Sequence, residues 1–110
     1  TDASIHLFCK LNYGTEFPRF KKLRVTGPDA DPMYKFLQEQ KGFAGWDATH
    51  PLTKILDEML SKQDADYQSK PDIKWNFTKF LTNKLGMVVA RFEPTASIES
   101  ISAQIEELLK

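Results

Sequence analysis

The sequence predicts a mixed α/β chain of one domain, and three observations predict it. Two runs rich in aromatic and β-branched residues, 73–81 (IKWNFTKFL) and 87–93 (MVVARFE), flank a glycine-bearing turn in the manner of a β-hairpin. Apolar residues at i, i+3, i+4 spacing follow capping signals at Asp31-Pro32, at Thr49-His50-Pro51 and at Ser97. The length of 110 residues allows one small domain. Such a chain buries roughly two-thirds of the surface its unfolded form exposes, enough for one modest core.

In chain order, the first element is a short helix. Thr1 or Asp2 caps it, Ile5, Phe8 and Cys9 form its apolar stripe, and Gly14 stops it. Pro18 breaks the pattern, and 20–25 (FKKLRV) reads as a strand that ends at Thr26-Gly27-Pro28. Asp31-Pro32 starts a second helix carrying Met33, Phe36, Leu37 and Gln40. Residues 41–50 (KGFAGWDATH) have no period and two exposed-looking aromatics, so they read as loop. A third helix near 51–62 follows, with Leu52, Ile55, Leu56, Met59 and Leu60 on one face. Residues 63–71 are polar and end in proline, which reads as a mobile connection. The second hairpin strand is apolar on both faces at its start, so it is expected to be covered on both sides. Ser97 caps a closing helix with Ile98, Ile101, Ile105 and Leu108 on one face.

Composition excludes several function classes. Fifteen basic and fifteen acidic residues cancel to a formal net charge of +0. A sequence-independent nucleic-acid binder needs a basic excess to displace counterions, and a polybasic membrane-surface protein needs one too. No apolar run approaches the roughly 20 residues of a membrane span, and no signal-peptide pattern opens the chain. The chain starts Thr1-Asp2 without an initiating Met, which reads as a processed chain or a piece of something longer. One cysteine makes no internal disulfide and asks for no oxidising compartment, so a cytoplasmic location is expected.

Few residues carry chemistry by pattern. Cys9 is the only thiol. It sits on the apolar stripe of the first helix and reads as a buried structural thiol, since free cysteine behaves as a small hydrophobe. His6 and His50 lack partners at metal-ligand spacing, so no metal and no cofactor are expected. Trp75 and Asn76 offer an indole N–H and a side-chain amide, two neutral donors suited to an anion such as a thiolate. By pattern alone, Trp75 and Phe77 face the core and Asn76 caps the strand end. Successive strand residues point to opposite faces, so Trp75 and Asn76 serve one site only if the backbone is irregular where the strand begins.

The segment Trp75-Asn76-Phe77-Thr78-Lys79-Phe80-Leu81 resembles the WNFxKFL string of the glutathione peroxidase family. Asn12-Tyr13-Gly14 with Phe17-Pro18 and Phe20 resembles its NYGvxFPxF stretch. Gly27-Pro28-Asp29-Ala30 with Pro32, Tyr34, Lys35, Phe36 and Leu37 resembles its nGPxaxPlYKFL stretch, and Gly86 to Phe92 with Pro94-Thr95 resembles its GxVvaRFxPT ending. The match is interrupted around 41–71, where the chain resembles family members that have a longer connection. This resemblance implies a thioredoxin-like fold of the glutathione-peroxidase type, present as an incomplete C-terminal portion. The expected order is helix, strand, helix, helical insert, β-hairpin, helix, in a single partial domain over 1–110. It implies that the peroxidatic cysteine or selenocysteine and the glutamine segment lie upstream of Thr1. Of the family's constellation only Trp75 and Asn76 carry over, as hydrogen-bond donors to the reactive sulfur. The resolving cysteine of thioredoxin-using members falls at Lys10, one residue past Cys9. Cys9 is therefore a candidate resolving thiol, set against its reading as a core thiol.

The implied activity is reduction of hydrogen peroxide or organic hydroperoxides, with a thiol co-substrate, glutathione or thioredoxin, as reductant. The chain as it stands lacks the nucleophile, so it is expected to be inactive on its own. Two alternatives belong to other classes. One is a non-enzymatic half-domain that self-associates into a homo-oligomer or pairs with a complementing chain, because the hairpin would keep open edges. The other is a small redox domain working through Cys9, which lacks a second thiol.

Overall fold

The computed structural model describes all residues, 1–110. The elements are α1 (Asp2–Tyr13), α2 (Pro32–Gln40), α3 (Pro51–Gln63), a 3₁₀ turn (Tyr67–Ser69), β1 (Lys79–Thr82), β2 (Val88–Phe92) and α4 (Ile98–Leu109). All four helices start where capping chemistry places them. The Thr1 hydroxyl accepts the Ser4 N–H at 3.1 Å and the Asp31 carboxylate accepts the Met33 N–H at 2.9 Å. His50 Nδ1 accepts the Leu52 N–H at 3.1 Å, and the Ser97 hydroxyl accepts the Ser100 N–H at 3.1 Å. Pro32 and Pro51 occupy the first helical position, where a missing N–H costs nothing. Gly14 ends α1 at φ 63°, a left-handed cap that glycine adopts without strain.

The hairpin is antiparallel, pairing Lys79 with Phe92, Phe80 with Arg91 and Leu81 with Ala90, and it bulges before Thr82 pairs with Val88. Its turn is closed by Asn83, whose side-chain oxygen accepts the Leu85 and Met87 N–H groups at 2.9 and 3.0 Å. The predicted strand at 20–25 does not form. A strand exists through its ladder, and the only sheet in the chain is β1–β2, so this run has no strand to pair with. The first hairpin strand also starts late. Residues 73–78 are irregular, with a bend at Trp75 and a turn at Asn76 and Phe77, and regular pairing begins only at Lys79.

The core is small and half polar. Ala30, Leu56, Tyr67 and Phe92 are buried beside Gln38, Arg91, Glu93 and Thr95. β2 is half-buried over Val88, Val89 and Ala90 and closes fully only at Arg91 and Phe92, so it is not covered on both faces along its length. α1 buries no residue, and neither does α4. Cys9 is accordingly half-buried and not a core thiol.

The connection over 41–71 is packed more tightly than its polarity suggests. Tyr67 is buried, its hydroxyl donates to Asp57 at 2.5 Å, and it accepts the Trp46 indole N–H at 2.8 Å. Phe43 stands edge-on to Trp46 at 4.8 Å between ring centres and tilted to Tyr67 at 5.8 Å. Tyr67 therefore anchors the 63–71 connection, whose composition reads as mobile, and Phe43 and Trp46 are half-buried where the 41–50 loop reads as exposing them. The Arg91–Glu93 pair ties that stretch to the hairpin. The Arg91 Nε donates to Glu93 at 2.6 Å, and its remaining N–H groups reach the carbonyls of Lys41, Pro71 and Asp72 at 3.2, 2.5 and 3.1 Å. Glu93 also accepts the Ala44 N–H at 3.1 Å, and the Thr95 hydroxyl accepts the Asp47 N–H at 3.1 Å. A buried charge pair is tolerable only when its spare donors and acceptors are satisfied in this way.

Candidate functional site

A groove of about 430 Å³ lies between the end of the unpaired 20–25 run and the turn that leads into β1. Val25, Thr26 and Tyr34 form one wall, and residues 73–78 form the other. Trp75 and Asn76 both line it. They do so because this stretch is a turn, which removes the strand alternation that would have sent the two side chains to opposite faces. Phe77 holds φ 66°, a left-handed conformation that costs a bulky residue on the order of 1–3 kcal/mol. Two local bonds brace it: the Thr78 hydroxyl donates to the Trp75 carbonyl at 3.0 Å, and the Lys79 ammonium donates to the Phe77 carbonyl at 2.8 Å.

This geometry overturns the pattern reading of the segment. Phe77 is 81% exposed and Trp75 is 40% exposed, so neither ring faces the core. The hydrogen bond made at Trp75 uses its carbonyl, and no other protein group engages the indole N–H or the Asn76 amide. A cation stands beside them. The Lys74 side chain is 3% exposed, pairs with Asp72 at 2.7 Å and lies 5.8 Å from the Phe43 ring centre. Lys74 also lines the groove. The lining thus combines the Trp75 and Asn76 donors with apolar and aromatic side chains such as Val25, Ile73 and Phe77, and the Lys74 charge beside them is offset by Asp72.

No thiol lines the groove. Cys9 sits on α1 and is not among its residues. His50 is spent on the α3 cap, and no group of three His, Cys, Asp or Glu side chains stands close enough to hold a metal ion. No helix is long and apolar enough to cross a membrane. Nothing in the sequence marks Val25, Thr26, Tyr34 or Lys74 as a site residue. Lys74 has only its place next to Trp75, whereas the other three join the site only through tertiary structure.

The chain is similar to curated proteins along its whole length. It is 40% identical over 110 residues to the glutathione peroxidase-like peroxiredoxin HYR1 of Saccharomyces cerevisiae, which covers 100% of this chain and 53% of that protein. It is 34% identical over 108 residues to a glutathione peroxidase of Lactococcus lactis, covering 98% of this chain and 54% of the relative. It is 40% identical over 107 residues to the hydroperoxy fatty acid reductase of Synechocystis, covering 97% and 53%. The chain therefore spans about half the length of the curated relatives it matches. The crystal structure of Trgpx in apo form matches with a TM-score of 0.56 and 26% identity, over 96% of this chain and 66% of that one. The shared architecture is part of a thioredoxin-like fold, and the half-length matches fit a C-terminal portion of it. No protein-family model matches the chain.

Proposed function

From a chain that corresponds to about half of a glutathione-peroxidase-family protein, we propose that it forms the donor wall of a thiol peroxidase site. The complete protein supplies the peroxidatic thiol or selenol. Its deprotonated sulfur or selenium attacks one oxygen of the hydroperoxide. The new bond to oxygen forms as the O–O bond breaks, and the departing alkoxide or hydroxide takes up a proton. A thiol, glutathione or thioredoxin, then displaces water from the sulfenic or selenenic acid, and a second thiol restores the nucleophile. Trp75 and Asn76 donate hydrogen bonds to the anionic form. The reading rests on one observation: a turn in place of a strand brings Trp75 and Asn76 into one groove.

The test joins residues 1–110 to the unmatched half of the yeast relative and follows thiol-coupled peroxide consumption. Trp75→Phe and Asn76→Ala should each lower turnover about tenfold or more, in line with the loss of one donor to a charged group. Unchanged turnover in both variants sinks the assignment. The 110-residue chain alone should show no turnover above background, with or without Cys9→Ser.

One observation favours a second, non-enzymatic reading. Ile5, Phe8, Leu11 and Phe20 are all exposed, Phe20 to 90%, and a face of this kind promotes self-association. Sedimentation at rising concentration decides it, because a strictly monomeric chain has no use for that face.

A further inference from the structure

We infer that Gln38 is the positioning residue that sets the spacing of the donor groove, holding both of its walls with one side chain. Gln38 is buried on α2 and touches neither Trp75 nor Asn76 through a hydrogen bond. Its amide nitrogen donates to the Tyr34 carbonyl at 2.8 Å and to the Val25 carbonyl at 3.3 Å. Its amide oxygen accepts the Ile73 N–H at 2.8 Å. Val25 and Tyr34 belong to one wall of the groove, and Ile73 begins the other.

Three features make this more than a buried amide finding partners. The bonds run both ways, two donated and one accepted, so no apolar or singly charged side chain of the same length reproduces them. They join segments 13 and 35 residues away from Gln38 in sequence, and no strand ladder connects those segments. The Ile73 bond also falls between two other restraints on the same wall. Arg91 grips the carbonyls of Pro71 and Asp72 on one side, and the braced turn at Phe77 lies on the other. Removing the Gln38 bond would free residues 73–76 between these fixed points. The donors would then lose their aim while the hairpin stayed intact.

The inference rests on the site proposed above, but its test does not need peroxide chemistry. In the full chain labelled with ¹⁵N, each tryptophan gives one indole N–H resonance, and Trp46→Phe identifies which is which. Gln38→Met keeps the length and burial of the side chain and removes all three bonds. It should shift the Trp75 indole resonance, leave that of Trp46 in place and speed amide exchange at Ile73 about tenfold, the value of one hydrogen bond near the upper end of its usual worth. A folded Gln38→Met chain with an unmoved Trp75 resonance and parental exchange at Ile73 overturns the inference. The parent chain offers a measurement that needs no variant to fold. The Ile73 amide should exchange as slowly as the paired amides of β1, and exchange as fast as an exposed turn amide refutes the clamp. The two proposals separate cleanly. If Gln38→Met moves Trp75 while Trp75→Phe leaves peroxide turnover unchanged, the clamp stands and the site assignment falls.

Discussion

Residues 30–95 and residues 1–25 of this chain are held together by different means. Every buried residue lies in the first set, and half of them are polar. In the second set nothing is buried, and α1 rests on its own caps and i→i−4 bonds. Both regions are rich in large apolar side chains, so apolar content does not separate them. What separates them is how much long-range polar pairing they receive: in residues 1–25 it reaches only Val25, through Gln38. Arg91, Glu93, Thr95 and Gln38 reach across 19 to 50 residues to fix backbone that has no sheet to sit in. In a chain with so small a core, directional bonds decide where loops lie, and hydrophobic burial follows them.

The contrast can be broken most strongly at its centre. Glu93→Ala leaves the Arg91 guanidinium, whose side chain is 1% exposed, buried without its counter-charge. It should cost about 3–5 kcal/mol in urea unfolding. A cost below about 1 kcal/mol would mean the pair is dispensable. Next in size is Leu56→Ala, which empties a site that is 1% exposed and should cost about 2–5 kcal/mol. Leu11→Ala on exposed α1 should stay within about 0.5 kcal/mol. Equal costs at Leu56 and Leu11 would erase the distinction between the two regions.

The smallest effect concerns pH. Burial, then the hydrogen bond to Asp57, raises the Tyr67 phenol above its ordinary value of 10.0. Above that value the unfolded chain releases the proton while the folded chain still holds it, so the unfolded state binds fewer protons and stability falls as pH rises. Below it the contribution is fully present. Tyr67→Phe should flatten the alkaline loss of stability seen in unfolding titrations above about pH 10. An identical slope in that variant would assign the loss to other groups.

Local chemistry was legible in the sequence, and pairing over distance was not. Asp31-Pro32, His50-Pro51, Ser97 and Gly14 announce helix ends because a cap needs only its own neighbours. The run at 20–25 has strand composition, but no local feature shows whether a partner strand is at hand. The burial of Tyr67 under Trp46 and Phe43 was hidden by the polar residues around it, because the partner indole is 21 residues away. At the site, Trp75 and Asn76 stand out as residue types, and the need for irregular backbone follows from strand alternation alone. The Phe77 conformation that provides it is not written in any turn signal, since an aromatic at positive φ runs against ordinary preference. Nothing local distinguishes Gln38 from any polar residue near a helix end, because its partner Ile73 is 35 residues away.

The isolation of α1 bears on how the chain melts. A 12-residue helix that buries nothing is marginal in water by itself. Heating should therefore unwind it early, while the block around Leu56, Tyr67 and Arg91 still holds. Circular dichroism counts helical residues wherever they are, whereas Trp46 emission, followed in the Trp75→Phe chain, reads the aromatic cluster. The two signals would trace different curves, and a single melting temperature would be a property of the probe chosen, not of the molecule.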